Sequence, residues 1–189
     1  DQREELSNIA RRVMNDVYIF SKLTETELTS ISNRSIKLFT LSSIKNANKA
    51  LLNKGKNDHI SEDEVQSAIE YWKYIASNIK DWNLAAERQV NSWELRETYI
   101  HAHGVLLHAF GILGFQIINN KDSWTALDNL SSIDWSRGSK LWKGRAVVNG
   151  RITKSITNVK LTANQIKKQI GLKLTSEELQ REKEFKANA

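Results

Sequence analysis

The chain has 189 residues, with 28 Lys and Arg against 22 Asp and Glu for a net charge of +6, no cysteine, no proline and 8 glycines. Its apolar and charged fractions are those of a globular chain. The missing cysteines exclude disulfides, Cys-held zinc or iron–sulfur sites and a thiolate nucleophile on this chain. With no proline and few glycines, little in the sequence interrupts long helices.

Residues 1–17 space Leu6, Ile9, Val13 and Val17 along one helical face. Thr24 and Glu27 form a capping box that predicts a short helix reaching Ile31, and residues 32–35 break the pattern. A helix over Leu41 to Leu52 turns Ile44, Ala47 and Leu51 inward and leaves Lys45 and Lys49 together outside. Ser61 with Glu64 caps the next helix, where Val65, Ala68, Ile69, Trp72, Ile75, Ala76 and Ile79 keep the helical period and make Trp72 a core residue. Trp82, Leu84 and Ala85 begin a short connecting helix.

The longest predicted helix covers about 93–118, with Leu95, Tyr99, Leu106, Phe110, Leu113 and Ile117 on one apolar stripe. His101, Gly104, His108, Gly111 and Phe115 form a second stripe, whose glycines admit a neighbouring helix closely. The apolar run from Tyr99 to Ile118 matches a bilayer span in length, but its three histidines, its three glycines and the charged turn before it mark a buried axis instead. A short helix over Trp124 to Leu130 follows.

Asn149-Gly150 between two β-type runs predicts a hairpin at 146–153, pairing Val147 with Ile152 and Val148 with Arg151. From about Thr153 a helix turns Val159, Ile166 and Ile170 inward and stops at Gly171. Thr175 and Glu178 cap a final helix that ends near Ala187. The expected fold is mainly α: a multi-helix bundle around a central buried helix (about 93–118), with one small β-hairpin near 146–153. Residues 1–189 read as a single helical domain. Because the chain starts at Asp1, it is expected to be the C-terminal part of a longer protein, and no secretory signal follows.

The charge is unevenly placed. Residues 28–57 hold six cations, Arg34, Lys37, Lys45, Lys49, Lys54 and Lys56, and no acid. Residues 135–176, a hairpin-plus-helix subregion, hold ten cations and no acid. Residues 58–134 carry 12 acids against 5 cations. Ordinary surfaces intersperse the two signs. An acid-free run of 42 residues stores self-repulsion that a polyanion relieves, and DNA or RNA gains affinity by releasing counterions. The competing reading docks the cations on the protein's own carboxylates.

The catalytic and metal signals are weak. His101 and His108 share a face on the predicted helix, with Glu97 one turn before, but neither zincin spacing nor a Cys partner accompanies them. Gly55-Lys56 is followed by Asn57, not by the Ser or Thr of a phosphate-cradling loop, and no Gly-x-Ser-x-Gly elbow occurs. Trp135 and Trp142 could stack on bases, but core packing is the stronger reading. No enzyme activity, metal or cofactor is expected. A helix-turn-helix over 161–186 is rejected because its second helix, Ser176 to Glu184, is acidic.

Four ordered blocks carry a family resemblance: Ser32-Asn33-Arg34-Ser35-Ile36-Lys37-Leu38-Phe39-Thr40-Leu41-Ser42-Ser43-Ile44; Glu94-Leu95-Arg96-Glu97 with Tyr99-Ile100-His101-Ala102-His103-Gly104; Ile133-Asp134-Trp135-Ser136-Arg137; and Leu161-Thr162-Ala163-Asn164. They resemble the DndB family of bacterial DNA sulfur-modification (phosphorothioation) systems, over essentially the whole chain. Members of that family begin with a domain bearing an Asp-Gly-Gln-His-Arg signature, which this chain lacks. The resemblance implies a mostly helical C-terminal fragment that regulates the modification operon by binding promoter DNA.

The expected partner is therefore double-stranded DNA. From charge placement alone, its contacts are Arg34, Lys37, Lys45, Lys49, Arg137, Lys140, Lys143, Arg145, Arg151, Lys154, Lys160, Lys167 and Lys168. The alternative is a module that docks on other sulfur-modification proteins. Operators are commonly read by dimers, which makes a homodimer possible, and the sequence leaves the oligomeric state open. The expected location is the cytoplasm, on the nucleoid, with no membrane partner.

Overall fold

A computed structural model describes residues 1–55 and 57–189, so Lys56 of the first basic run lies outside the described residues. Helix accounts for 62% of the chain, and among the described residues strand is confined to two small sheets of two strands each. In chain order the elements are α1 (Gln2–Asp16), α2 (Tyr18–Leu23), β1 (Thr24–Glu25), β2 (Phe39–Thr40), α3 (Leu41–Leu52), α4 (Glu62–Ser77), α5 (Lys80–Ala86) and α6 (Ser92–Thr98). A 3-10 turn (Ile100–Ala102), α7 (Gly104–Phe115), a 3-10 helix (Lys121–Ser132), β3 (Val147–Val148), β4 (Arg151–Ile152), α8 (Ile156–Ile170) and α9 (Ser176–Ala187) complete the chain.

Helix α7 is the axis, with α3 packed along one side and α8 along another. Ser43, Ala47 and Leu51, each one turn apart on α3, meet Gly104, Gly111 and Gly114 of α7. A Cβ at Gly111 would collide with the Ala47 carbonyl, so the close crossing requires glycine there. Around this crossing runs a file of aromatic contacts. Phe20 meets Trp72 at 5.7 Å, Phe39 meets Trp82 at 5.3 Å, Trp82 meets Phe110 at 6.0 Å and Phe110 meets Trp135 at 5.8 Å, all edge-on. Four of the five buried indoles donate to an acceptor: Trp72 to Asn48 Oδ1, Trp82 to the His101 carbonyl, Trp124 to the Ile117 carbonyl and Trp142 to the Asp134 carbonyl.

The predicted helix over 93–118 is two helices. Tyr99 and His103 are both extended, with the 3-10 turn between them. The break is made by pairing with the 133–137 segment: Ile100 N–H donates to the Trp135 carbonyl at 3.0 Å and Arg137 N–H to the Thr98 carbonyl at 2.8 Å. No helix among the described residues is long and apolar enough to cross a membrane.

The helix predicted from the Thr24–Glu27 capping box is also absent. Thr24–Glu25 instead runs parallel to Phe39–Thr40, and the Glu25 carboxylate accepts the N–H groups of Glu27 and Leu28 in a bent loop. The Trp124 to Leu130 helix is 3-10 and longer, Lys121–Ser132. The last basic helix begins at Ile156 instead of Thr153.

Candidate nucleic-acid interface

The hairpin forms in the expected register, Val147 opposite Ile152 and Val148 opposite Arg151. Asn149 and Gly150 both take positive φ, 51° and 74°, as a two-residue turn of this hand requires. Arg137 donates to the Gly150 carbonyl at 3.1 Å and so pins the hairpin tip to the loop before it. Asn158 on α8 donates to the carbonyls of Gly144 and Arg145, which anchors the same loop from below.

The thirteen expected DNA contacts divide by environment. Arg34, Lys49, Lys140, Lys143, Arg151 and Lys154 are exposed, Lys45 and Lys160 are half-buried, and none of these eight makes an ion pair among the described residues. Lys37 is half-buried, and its ammonium donates to the Lys22 carbonyl at 3.0 Å. Arg137 is half-buried under its hairpin bond.

Arg145 and Lys167 are corrections: 5% and 1% exposed, they cannot reach a phosphate in this fold. Arg145 grips Glu182 with both guanidinium arms, at 2.7 and 2.9 Å, donates to the Leu161 carbonyl and lies over the Phe185 ring. Lys167 donates to Glu178 at 2.5 Å and to Gln116. Lys168 pairs with Glu182 at 3.1 Å but keeps its side chain 38% exposed.

The reason is topological. Gly171, at φ 84°, ends α8 in a left-handed turn, and α9 then lays its acids on the cations of the preceding segment. Two of the four glutamates counted against groove entry by α9, Glu178 and Glu182, are thus turned inward; they are its buried residues. Burial alone would raise the Glu182 carboxyl, but the Arg145 fork, with Asn164 and Lys168, overrides it and holds the group at about 2, against an ordinary 4.5.

A cleft of about 920 Å³ opens where the two acid-free segments meet. Its walls come from the 29–46 stretch, from α6 and the start of α7, and from Ile152 and Lys154 beside the hairpin. Arg96 builds one wall: its guanidinium donates to the carbonyls of Ser32, Asn33, Ser35 and Lys37, and Ser92 Oγ donates to the Ile36 carbonyl at 2.7 Å. One arginine thereby satisfies the carbonyls of an irregular loop that has no ladder of its own. Two of the resemblance blocks meet in this contact, and the 133–137 block braces it through the strand-like pairing at Tyr99.

The histidines separate. His101 is fully buried, stacked on Tyr99 at 5.1 Å, with Nε2 at 2.8 Å from Asp81, so it does not share a face with His108. His103 Nε2 donates to the Arg96 carbonyl at 2.7 Å. Burial lowers the pKa of His103 against the opposing pull of its bond to the Arg96 carbonyl, and the charges of Arg137 and Arg96 add to the lowering. His108 is lowered by burial and by Lys160. Both are neutral at pH 7 and line the cleft. No group of three potential metal ligands occurs among the described residues.

Trp135 and Trp142 stack on each other at 5.3 Å, at 7% and 0% exposure, as core residues. Sequence reasoning missed Trp93, which is 38% exposed at the cleft. The available signal was its position off the apolar stripe of its helix, between the cap residue Asn91 and Glu94.

No curated protein and no solved structure matches the chain. A family model described as DndB, DNA-sulfur modification-associated, matches residues 1–173, which takes in every element from α1 through α8 and all four of the sequence blocks. The chain belongs to the DndB family of DNA-sulfur modification-associated proteins.

Proposed function

We propose that this chain binds double-stranded DNA and serves as a transcriptional regulator of a DNA-sulfur modification operon, without catalysing sulfur transfer. The observation that carries the reading is the set of exposed cations around the hairpin. Lys140, Lys143, Arg151 and Lys154 have no ion-pair partner among the described residues, in a segment whose buried cations are all matched to carboxylates. Free surface cations at this density recruit phosphates through counterion release. Arg34 and Lys49 add to the set from the other acid-free run. Family membership supplies the setting, and a chain without cysteine carries no thiolate of its own to handle sulfur.

Fluorescence anisotropy against a labelled promoter duplex tests this. With about five phosphates neutralised, log affinity falls with log salt at a slope near −4 to −5. A flat response overturns the reading. Replacing Lys140, Lys143, Arg151 and Lys154 with Gln shallows the slope by about 3 to 4. If that variant binds DNA unchanged but loses capture of other sulfur-modification proteins, the docking alternative takes its place. Sedimentation of the same complex distinguishes a monomer from a homodimer, and a promoter-reporter assay checks regulation. A fluorescent fusion to the full protein would show nucleoid association.

A further inference from the structure

The cleft has a composition that the exposed cations do not account for. Five of the six tryptophans are buried, at 7% exposure or less, while Trp93 keeps 38% of its surface free and lines the cleft. The same lining holds Asn33 and Asn46, whose side-chain amides have no protein partner among the described residues, and Ser42, likewise unpartnered. His108, kept neutral by burial and by Lys160, gives a ring that can donate or accept. Lys154 puts a cation at the hairpin side, and Glu97 is the one carboxylate in the lining. A flat π-face, free amides and a nearby cation are what a nucleotide requires for its base face, its base edge and its phosphate. One carboxylate supplies too few oxygen ligands for a divalent metal, and Arg96 and Lys154 in the same lining repel a cationic ligand.

We infer that the cleft between the 29–46 stretch, α6 and the hairpin binds an unpaired nucleotide, with its base stacked on Trp93, its edge read by Asn33 and Asn46, and its phosphate held by Lys154. The volume lies within the range of small-ligand sites. Where the nucleotide belongs to DNA, the inference rests on the proposed DNA binding and deepens it: the exposed cations hold the duplex backbone and the cleft takes a base that has left the stack.

The experiment compares intrinsic fluorescence of the full chain and Trp93→Phe, titrated with three probes: a duplex carrying one unpaired adenine, the same duplex with an abasic site there, and adenosine monophosphate. Quenching by the unpaired adenine, absent with the abasic duplex and absent in Trp93→Phe, is the expected result. Trp93→Ala then weakens the unpaired-adenine duplex by roughly 5- to 150-fold relative to the abasic one. Quenching by the monophosphate alone, with no difference between duplexes, also upholds a nucleotide cleft but assigns it to a free nucleotide. Equal fluorescence responses of wild type and Trp93→Phe to all three probes overturn the inference. Salt-dependent binding of a fully paired duplex is measured in parallel. Its loss sinks the DNA reading alone, and its persistence beside a silent Trp93 sinks the cleft alone.

Discussion

At the seam between α8 and α9, Arg145 and Lys167 lie 5% and 1% exposed against Glu182 and Glu178. In the hairpin and the loop leading to it, Lys140, Lys143, Arg151 and Lys154 are exposed, with no ion-pair partner among the described residues. Both sets belong to one acid-free run of the sequence. What separates them is the helix laid over the first set and not over the second. A cation under α9 is desolvated and needs its partner with good geometry. A cation on the hairpin keeps its water and can exchange it for a phosphate. The net charge of a segment therefore sets an upper limit on its electropositive surface.

The comparison breaks first at Glu182. Its replacement by Ala leaves Arg145 buried without an anion, and denaturant unfolding should show a loss of about 3–5 kcal/mol. A change below about 1 kcal/mol would mean that the seam does not hold α9 in place. Lys167 is among the DNA contacts expected from charge placement, but Lys167→Glu sets a carboxylate against Glu178 inside the protein and is expected to destabilise the fold before it reports on DNA.

Acid should reveal the same seam. The Glu182 carboxyl is depressed to about 2 in the folded chain from an ordinary 4.5, and the Glu178 carboxyl is lowered too, burial being outweighed by Lys167, the Thr175 N–H and Gln116. Groups depressed on folding add stability that is complete above the ordinary carboxylate value and is lost as pH falls through the folded one. Unfolding free energy measured from pH 6 downward should hold level to about 4.5 and then decline toward about 2. Glu182→Gln should remove much of that slope.

A smaller effect belongs to the cap that starts α9. Thr175 Oγ1 accepts the Glu178 N–H and Glu178 returns a bond to the Thr175 N–H, so Thr175→Ala should cost about 1 kcal/mol in the same assay. The smallest effect sharpens the contrast from the other side. Gln at Lys140, Lys143, Arg151 or Lys154, taken singly, should shift stability by no more than about 0.5 kcal/mol, since each side chain is exposed and unpaired.

Features set within a few residues were legible. The 149–150 turn, the Ser61 and Thr175 caps and the Gly171 stop appear as read, because each depends on one backbone conformation or one local hydrogen bond. The apolar stripe over 93–118 was legible too, but its continuity was not. Tyr99 and Ile100 leave the helix to pair with residues 135–137, and nothing between 93 and 118 announces that partner. The Thr24–Glu27 signature failed for the same reason, overruled by a strand partner at Phe39. For the candidate site, the sequence marked the cations but not the cleft, whose Trp93, Asn33, Asn46 and Lys154 come from three separate stretches.

The sequence by itself determined a helical chain with a hairpin, an aromatic core and two acid-free runs, because periodicity, caps and charge are local properties. Only the tertiary structure decided which cations are free, which tryptophan is exposed and where a cleft opens. Those depend on which surfaces cover one another, and a carboxylate that neutralises an arginine can stand 37 residues away, as Glu182 does from Arg145.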